Sequence, residues 1–597
     1  RFHPYVLLED RLNGHADGLL YANPDEVVIC NHPDDVASAI ARIEAGLRRG
    51  LHAAGFASYE LGYALSERLR NAMPGGRSLP LLWFGLFAAP ERIPAGALDE
   101  AFGNLPPPAP LSNVRPGLDA VAHGRQVERI LDYLRDGDAY QINLTFPVEF
   151  DYGDDPVSLY AALRAGQPVA YGGLVSTGDA SILSVSPELF IDITDGVVTA
   201  RPMKGTVMRG PAAAADQEAM ERLVADPKQR AENLMIVDLL RNDMARISEI
   251  GSVRVPELFK VETYPTLHTL TSTVTSRLRP GTDLDTLLRA IFPCGSITGA
   301  PKLRAMQIIR ELEDTPRDVY TGAIGVIEPN GDLRFNVAIR TATLLADGKG
   351  EYGVGGGIVA DSLPASEYEE CLLKARVLTD LAEDYGLIET LLWTPEAGFV
   401  RADLHLARLE QSALALGFAW DRGGAEARLH GLASSLLDGV PHRIRLELRR
   451  DGSLDMVAPQ LAVEPDRPVR VAVASLQADP GDPFLRHKTT RRALYERSFA
   501  EAAAAGADEA ILLNRLDHVT EATRSNIFVE RDGVLLTPPL RDGLLPGVLR
   551  QSLIAEGRAI ERSLTLEDVR RAPSWYLGNS LRGLRPASLF VPNEPAS

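Results

Sequence analysis

The stretch GVGGGIVADSLPASEYEECLLKA, residues 353–375, decides the fold class. Its glycine run ahead of an acidic helical pattern resembles a phosphate-cradling loop. The dinucleotide fingerprint G-x-G-x-x-G, however, needs glycine where Ile358 stands, and no strand–helix–strand unit surrounds the run. Working outward, residues 118–384 alternate short β-rich runs with helical patterns and lack the regular rhythm of a parallel sheet, which points to α+β. The helix expected after the glycine loop bears Glu367, Glu370 and Lys374; the last two lie four apart on one face and, taken alone, make a surface ion pair.

The chain has 597 residues, enough for two to four domains. Sixty-two basic against 81 acidic residues give a net charge of −19, which argues against nucleic-acid or anionic-membrane partners. The three cysteines, Cys30, Cys294 and Cys371, form no CxxC pair, so neither a zinc knuckle nor a disulfide framework is expected and a reducing cytoplasm fits. No run of about 18 apolar residues suggests a membrane span. The chain opens on Arg1 without a signal peptide, and the missing Met points to a trimmed start. Residues 1–105 mix strands with one helix, on which Val36, Ile40, Ile43 and Leu47 recur at helical spacing. A Pro-rich connector covers 104–117, a boundary falls near 380–388, and a second α+β unit follows. The expected domains are 1–105, 106–384 and 385–597.

Within the middle region ARPMKGTVMRG, residues 200–210, places Lys204 in what reads as a tight turn after an apolar strand. Upstream, LSVSPELFI (183–191) is a strand-like run with one carboxylate, Glu188. Downstream, AENLMIVDLLRNDMARI (231–247) is a helix with an apolar face of Leu234, Ile236, Val237, Leu240 and Met244. Glu232, Asp238, Arg241 and Asp243 interrupt it, and burying them demands pairing or a metal. CGSITGAPKLRAM (294–306) ends a small-residue loop at a helix start, which suits an anion. Glu232 and Glu370 are hard oxygen ligands suited to Mg²⁺. Residue chemistry alone stops at an anion-binding, Mg²⁺-compatible site.

These motifs, together with GDAYQINLT (137–145), AIRTA (338–342) and GFASYELGY (55–63), fall in the order of the chorismate-utilising enzymes, which the chain resembles over about 120–380. The resemblance implies an antiparallel β-sandwich core with helices. It also separates members: anthranilate synthases of this kind have alanine where Lys204 stands, and aminodeoxychorismate synthases have lysine. It implies that Lys204 adds to the chorismate ring as the hydroxyl leaves, and that ammonia then expels the lysine. Burial or nearby positive charge must keep Lys204 neutral. Glu188 would act as proton donor and acceptor, and Glu232 and Glu370 would hold Mg²⁺. Substrate contacts would come from Ser252, His268, Thr298, Gly299, Tyr320, Arg340, Gly357 and Lys374. Several family members place the histidine one position later, where Thr269 stands here. None of the cysteines sits in a nucleophile elbow, so ammonia is expected from a separate glutamine amidotransferase subunit or from solution.

After residue 385, ADLHLARLEQSALALGF (402–418) is an amphipathic helix with Leu404, Leu409, Ala413 and Leu416 inward and His405 and Arg408 as polar exceptions. Lys488 stands among cations in FLRHKTTRRALYERSF (484–499), and Glu521 precedes a strand in VTEATRSNIFVE (519–530). A Pro-Gly turn enters a helix in TPPLRDGLLPGVLRQSL (537–553), and YLGNSLRGLRP (576–586) ends a strand in a small-residue turn. Together they resemble the class IV pyridoxal-phosphate-dependent family, with a two-subdomain α+β fold. The resemblance implies Lys488 as the Schiff-base lysine, Glu521 at the pyridine nitrogen, and Arg408, Gly547, Val548 and Ser580 at the phosphate. It also implies a homodimer through this region.

The joint expectation is a cytoplasmic enzyme with Mg²⁺ and pyridoxal 5'-phosphate that turns chorismate and ammonia into 4-amino-4-deoxychorismate. It would then eliminate pyruvate to leave p-aminobenzoate for folate synthesis. The rivals are an amino-acid aminotransferase in the second unit, an anthranilate synthase-like first unit, and a non-catalytic chorismate-binding subunit.

Overall fold

The computed structural model describes residues 3–12, 17–153, 155–208, 213–263, 267–382, 385–436, 439–464 and 467–590. Arg209, Gly210 and boundary residues 383–384 lie outside these. The chain forms two compact units, Arg1–Ala95 with Pro110–Ala382, and Gly96–Ala109 with Glu383–Ser597.

The first unit holds two ten-stranded sheets whose pairings are antiparallel. One sheet runs through Gln141–Asp151, Lys349–Ile358, Thr341–Leu345, Ala180–Ser186, Tyr171–Ser176 and Tyr5–Glu9. The other runs through Met203–Met208, Leu267–Arg277, Val197–Arg201, Leu189–Thr194, Leu333–Val337, Ala323–Ile327 and His52–Ala57. Val6, Val175 and Ile182 of the first meet Phe56, Trp83 and Ile324 of the second, so the sheets pack face to face. Helices cover the outer faces. Val127 and Ile130 lie on Ile142, Leu144 and Ile358. Ile40, Ile43, Ile236, Val237, Leu240 and Met244 lie on the second sheet, with Leu47 at the margin. This is the antiparallel sandwich with helices that the motifs implied.

Several local expectations change. The glycine run is not a loop: Gly353–Gly357 lie inside strand Lys349–Ile358, which pairs with Gln141–Asp151 along its whole length. The strand ladder satisfies the backbone, and glycine serves close approach. A Cβ on Gly353 would meet the Tyr320 ring at 2.1 Å. Lys204 sits not in a turn but in strand Met203–Met208, beside a bulge where the register against Leu267–Arg277 slips and Gly205 takes φ +80. In helix Pro227–Ala245 Leu234 faces solvent, while Asp243 is buried against Lys302 at 2.6 Å. Among the described residues of 1–105 there are three α-helices rather than one, Val36–Arg48, Leu61–Leu65 and Ala95–Gly103. Part of the Pro-rich connector is strand Ser112–Pro116, paired with Gln141–Asp151. No helix among the described residues is long and apolar enough to cross a membrane.

A buried ion pair anchors the first unit's N-terminal strand. Arg164 reaches Glu9 at 2.6 and 2.9 Å, and the Tyr160 hydroxyl donates to Glu9 at 2.6 Å. Arg164→Met is expected to lower this unit's stability by about 3–5 kcal/mol, because it strands a carboxylate in the interior. A fall in the first thermal transition on calorimetry checks this; an unchanged transition would show that Glu9 finds another partner.

The second unit combines a four-stranded antiparallel sheet with a nine-stranded mixed sheet. Helix Ala402–Leu416 packs Leu406, Leu409, Ala413 and Leu416 onto strands Leu387–Thr394 and His442–Leu448. Leu404 is partly exposed, contrary to its expected inward position, and His405 and Arg408 are buried instead. Helix Ala95–Gly103 contributes here through buried Asp99, paired with Arg515 at 2.5 Å.

Candidate active sites

In the first unit, strands bring the motif residues together. Gly357 is the meeting point: a Cβ there would lie 2.9 Å from the Gln141 amide nitrogen and 3.1 Å from Lys204 Nζ. Any larger residue would occupy this space. Both polar atoms of the buried Gln141 side chain lack a partner. Glu188 lies just after strand Ala180–Ser186, buried, its carboxyl hydrogen-bonded by the Ser296 side chain and the Met203 backbone. Its Oε1 has no partner. Burial raises the Glu188 carboxyl to about 7 against the opposing effects of Ser296 and Lys204. Burial pulls the Lys204 ammonium below its ordinary range; Lys374 helps, while Glu232, Glu188 and Glu370 oppose. Glu188 and Lys204 therefore act on each other across this site, each shifted by burial toward its uncharged form.

Helices Pro227–Ala245 and Pro364–Thr379 supply the acidic rim. The first is capped by Asp226, which accepts from the Lys228 and Gln229 N–H groups. Burial raises Glu232, and Glu367 and Glu370 add to the rise against Lys204 and Lys228. Lys374 pairs with Glu370 at 2.7 Å and donates to the Gly355 carbonyl at 2.8 Å. The pair thus ties its helix to the glycine strand rather than standing alone on the surface. No cluster of three metal-ligating side chains occurs among the described residues.

Thr298 is buried and donates to the Cys294 carbonyl at 2.6 Å, and its own carbonyl accepts from the Asn143 N–H at 2.9 Å. Gly299 pairs with Ile142 at φ +140, where a Cβ would meet the Gln141 carbonyl at 2.2 Å, so glycine is required. Arg340 takes φ +50 between two strands, and its carbonyl accepts from Val185 N–H at 3.0 Å. His268 is buried in strand Leu267–Arg277, while Thr269 donates to the Gly205 carbonyl at 2.8 Å and so holds the bulge beside Lys204. Ser252 is not brought in: its hydroxyl closes a turn onto Glu249 and accepts from the Arg277 N–H. Lys204 pairs with Leu270, so Arg277 lies seven residues along the strand, about 23 Å away. Gln141 and Ser296 had no role in the sequence reading, although both stand inside quoted motifs.

In the second unit Lys488 follows the short helix Pro483–Arg486, and its carbonyl accepts from the Ile388 N–H at 2.8 Å. Burial lowers its ammonium to about 7, with Arg492 and Arg408 adding to the fall against Glu389 and Glu521. Glu521 lies one residue before the end of strand His518–Ala522; its carboxyl accepts from Tyr495 at 2.7 Å and the Leu545 N–H at 3.0 Å. Burial raises it to about 7. Arg408 donates two bonds of 2.7 Å to Glu389 and one of 2.9 Å to the Pro546 carbonyl. Gly547, next in the chain, precedes helix Val548–Ala555; its own N–H donates to the Leu545 carbonyl at 2.8 Å, and with no side-chain cap the helix's first N–H groups, from Val548 on, suit an anion. A Cβ on Gly547 would meet Asn526 Oδ1 at 1.8 Å. Ser580 and His405 lie 2.8 Å apart. The sequence reading missed Glu389, whose signal was a lone carboxylate inside the apolar strand LIETLLW, and it gave Tyr495 no role.

Residues 386–590 match the amino-transferase class IV family. Aminodeoxychorismate synthase component 1 of Klebsiella aerogenes is 43% identical over 268 residues, covering 45% of this chain and 59% of that protein. Anthranilate synthase component 1 of Pseudomonas aeruginosa is 42% identical over 252 residues, covering 42% of this chain and 51% of that protein. The chain thus spans between half and three-fifths of the length of these curated relatives. The crystal structure of anthranilate synthase component I from Streptococcus pneumoniae TIGR4 superposes with a TM-score of 0.53 at 27% identity, covering 61% of this chain and 92% of that one. Residues 3–380 match the chorismate binding enzyme family, and the chain, in which that match takes in more than half the residues, belongs to it.

Proposed function

We propose that the first unit converts chorismate and ammonia into 4-amino-4-deoxychorismate and that the second eliminates pyruvate from it to give p-aminobenzoate. The observation that carries this reading is Lys204: an amine lowered by burial, beside Gln141 and Gly357 and acting on a Glu188 that titrates near neutrality. The relatives it matches include both aminodeoxychorismate and anthranilate synthase components, so overall similarity does not choose between them. The buried Lys204 amine supports the aminodeoxychorismate reading. Neutral Lys204 adds to the conjugated ring, the ring hydroxyl departs as water with the Glu188 proton, and ammonia adds at the vacated carbon as the Lys204 amine leaves. Ammonia would come from a glutamine amidotransferase partner. Thr298, Gly299, Tyr320 and Arg340 would hold the enolpyruvyl carboxylate, and Gly357 leaves room for the ring.

Glu232 and Glu370 would hold Mg²⁺. Glu370 acts on Glu232, so the two carboxylates face a common space, and two protein carboxylates plus substrate oxygens suit this ion. When bound it supplies positive charge against the ring carboxylate.

The second site fits pyridoxal phosphate: a buried amine, a buried carboxyl, and an open helix start beside Arg408. When bound, the cofactor supplies an electron sink for the carbon that bears the amine. Lys488 would move the proton at that carbon, and Glu521, fixed by Tyr495 and the Leu545 N–H, would pair with the pyridine nitrogen. Arg408, Gly547, Val548 and Ser580 would bind the phosphate. An amino-acid aminotransferase uses the same residues; the attached chorismate unit supports the lyase. The three described cysteines are free and buried, which suits a cytoplasmic setting.

Supplying chorismate, Mg²⁺, pyridoxal phosphate and ammonium, then identifying the product by mass, tests the reading. p-Aminobenzoate supports it; anthranilate, or amino transfer to a keto acid, refutes one unit's assignment. The rate of the first reaction is expected to be bell-shaped in pH. Glu188 donates only while protonated, so one limb falls as pH rises through about 7; Lys204 attacks only when neutral, so the other rises with pH. Glu188→Gln should remove the falling limb and slow the reaction by about 10²–10⁴-fold. A falling limb that persists in this variant would assign it to another group.

A further inference from the structure

Behind Arg408 lies a buried chain of hydrogen bonds that joins three elements. Glu389 comes from strand Leu387–Thr394, His405 from helix Ala402–Leu416, and Ser580 from the turn after strand Ser574–Asn579. Glu389 Oε2 lies 2.6 Å from His405 Nδ1, and His405 Nε2 lies 2.8 Å from Ser580 Oγ. Glu389 and His405 are each 1% exposed. The Arg408 guanidinium grips both oxygens of the same carboxylate. Its third bond, to the Pro546 carbonyl, sets it at the start of helix Val548–Ala555. Strand Ser574–Asn579 reaches the same helix, since a Cβ on Gly578 would lie 3.1 Å from Leu549 Cδ2.

The proton positions follow from this geometry. Glu389 is ionised, held at about 2 by Arg408 and His405 against the effect of burial, so it only accepts. Nδ1 of His405 must therefore carry the hydrogen. Burial lowers the imidazole, opposed by Glu389 and assisted by Arg408 and Lys488, the other charged groups that act on it. A neutral ring with hydrogen on Nδ1 has a bare Nε2, so the Ser580 hydroxyl donates to it. Ser580 has one hydrogen and cannot also give it to an anion. Once an anion takes that hydrogen, the Nε2 and Oγ lone pairs face each other 2.8 Å apart unless the ring gains a proton.

We propose that Glu389, His405 and Ser580 form a proton-linked latch on this anion pocket: when a phosphate-bearing ligand takes the Ser580 hydrogen, His405 gains a proton from solvent and donates from Nε2 to Ser580 Oγ. His405 and Glu389 are positioning residues: of the four side chains in this network, Ser580 and Arg408 are the two that would meet the ligand. The inference rests on the phosphate site proposed above. The latch holds the anion more tightly as pH falls.

Sulfate is a suitable probe, being a tetrahedral dianion with no proton of its own near neutrality. The full chain, freed of pyridoxal phosphate, is titrated with sulfate by calorimetry in paired buffers of different ionisation enthalpy from pH 6 to 9. Lys488 and Glu521, which titrate near 7 in the same site, gain protons on anion binding in any variant, so the readout is the difference between two proteins. The wild type is expected to take up close to one proton per sulfate more than His405→Gln, whose amide can still bridge Glu389 and Ser580, with a Kd that rises more steeply with pH by close to tenfold per unit, at an unchanged melting temperature. Equal uptake in the two proteins, or none in the wild type at any pH, overturns the latch. If sulfate fails to bind while pyridoxal phosphate binds, the latch alone falls; if neither binds, the phosphate site falls with it.

Discussion

Lys204→Ala is expected to abolish formation of 4-amino-4-deoxychorismate, with a loss on the order of 10³-fold or more, as for removal of a covalent nucleophile elsewhere. Alanine leaves a gap against Gln141 and Gly357, and Lys374, the amine that acts on Lys204, is held by Glu370 and the Gly355 carbonyl. The variant should keep the second reaction, turning supplied 4-amino-4-deoxychorismate into p-aminobenzoate at the wild-type rate, which separates lost chemistry from lost folding. Mass analysis of the products decides it. An active variant would make direct attack by ammonia the mechanism and Lys204 an electrostatic aid only. Lys204→Arg, which keeps charge and length but cannot become neutral, should be as inactive as alanine.

The second large effect belongs to Lys488. Lys488→Ala should stop pyruvate release by a similar factor, on the order of 10³-fold, while the first unit continues, so that 4-amino-4-deoxychorismate accumulates. The amine is held near 7 by burial and by Arg492 and Arg408, so it can both give and take a proton around neutrality. The cofactor-loaded variant should also lose the visible absorbance of a lysine-bound cofactor. Pyruvate release that survives with full p-aminobenzoate yield would place the proton transfer on another residue.

Much of this was legible along the chain because motif residues act locally: Gly357 must be small beside Gln141 and Lys204, and a Pro-Gly turn enters helix Val548–Ala555. Helix faces were legible where apolar residues recur at 3.6 spacing, as at Ile40 and Ile43. Where they follow one another too closely, as at Leu234 and Leu404, the pattern allows two faces, and packing against a particular sheet chooses one. The glycine run misled for a related reason. Glycine signals either a loop or close approach, and only the pairing of Lys349–Ile358 with Gln141–Asp151 distinguishes them.

By itself the sequence determined the α+β class and the order of the two families' motifs along the chain, because residue type and order carry that information. The tertiary structure alone decided three things. It set Ser252 far from Lys204, it brought the unpaired amide of Gln141 beside the amine, and it joined Glu389, His405 and Ser580 across nearly 200 residues. The physical reason is common to all three. Strand register and burial, set by pairing between distant segments, fix where a side chain stands and which protonation state costs least, and neither can be read from the neighbours in sequence.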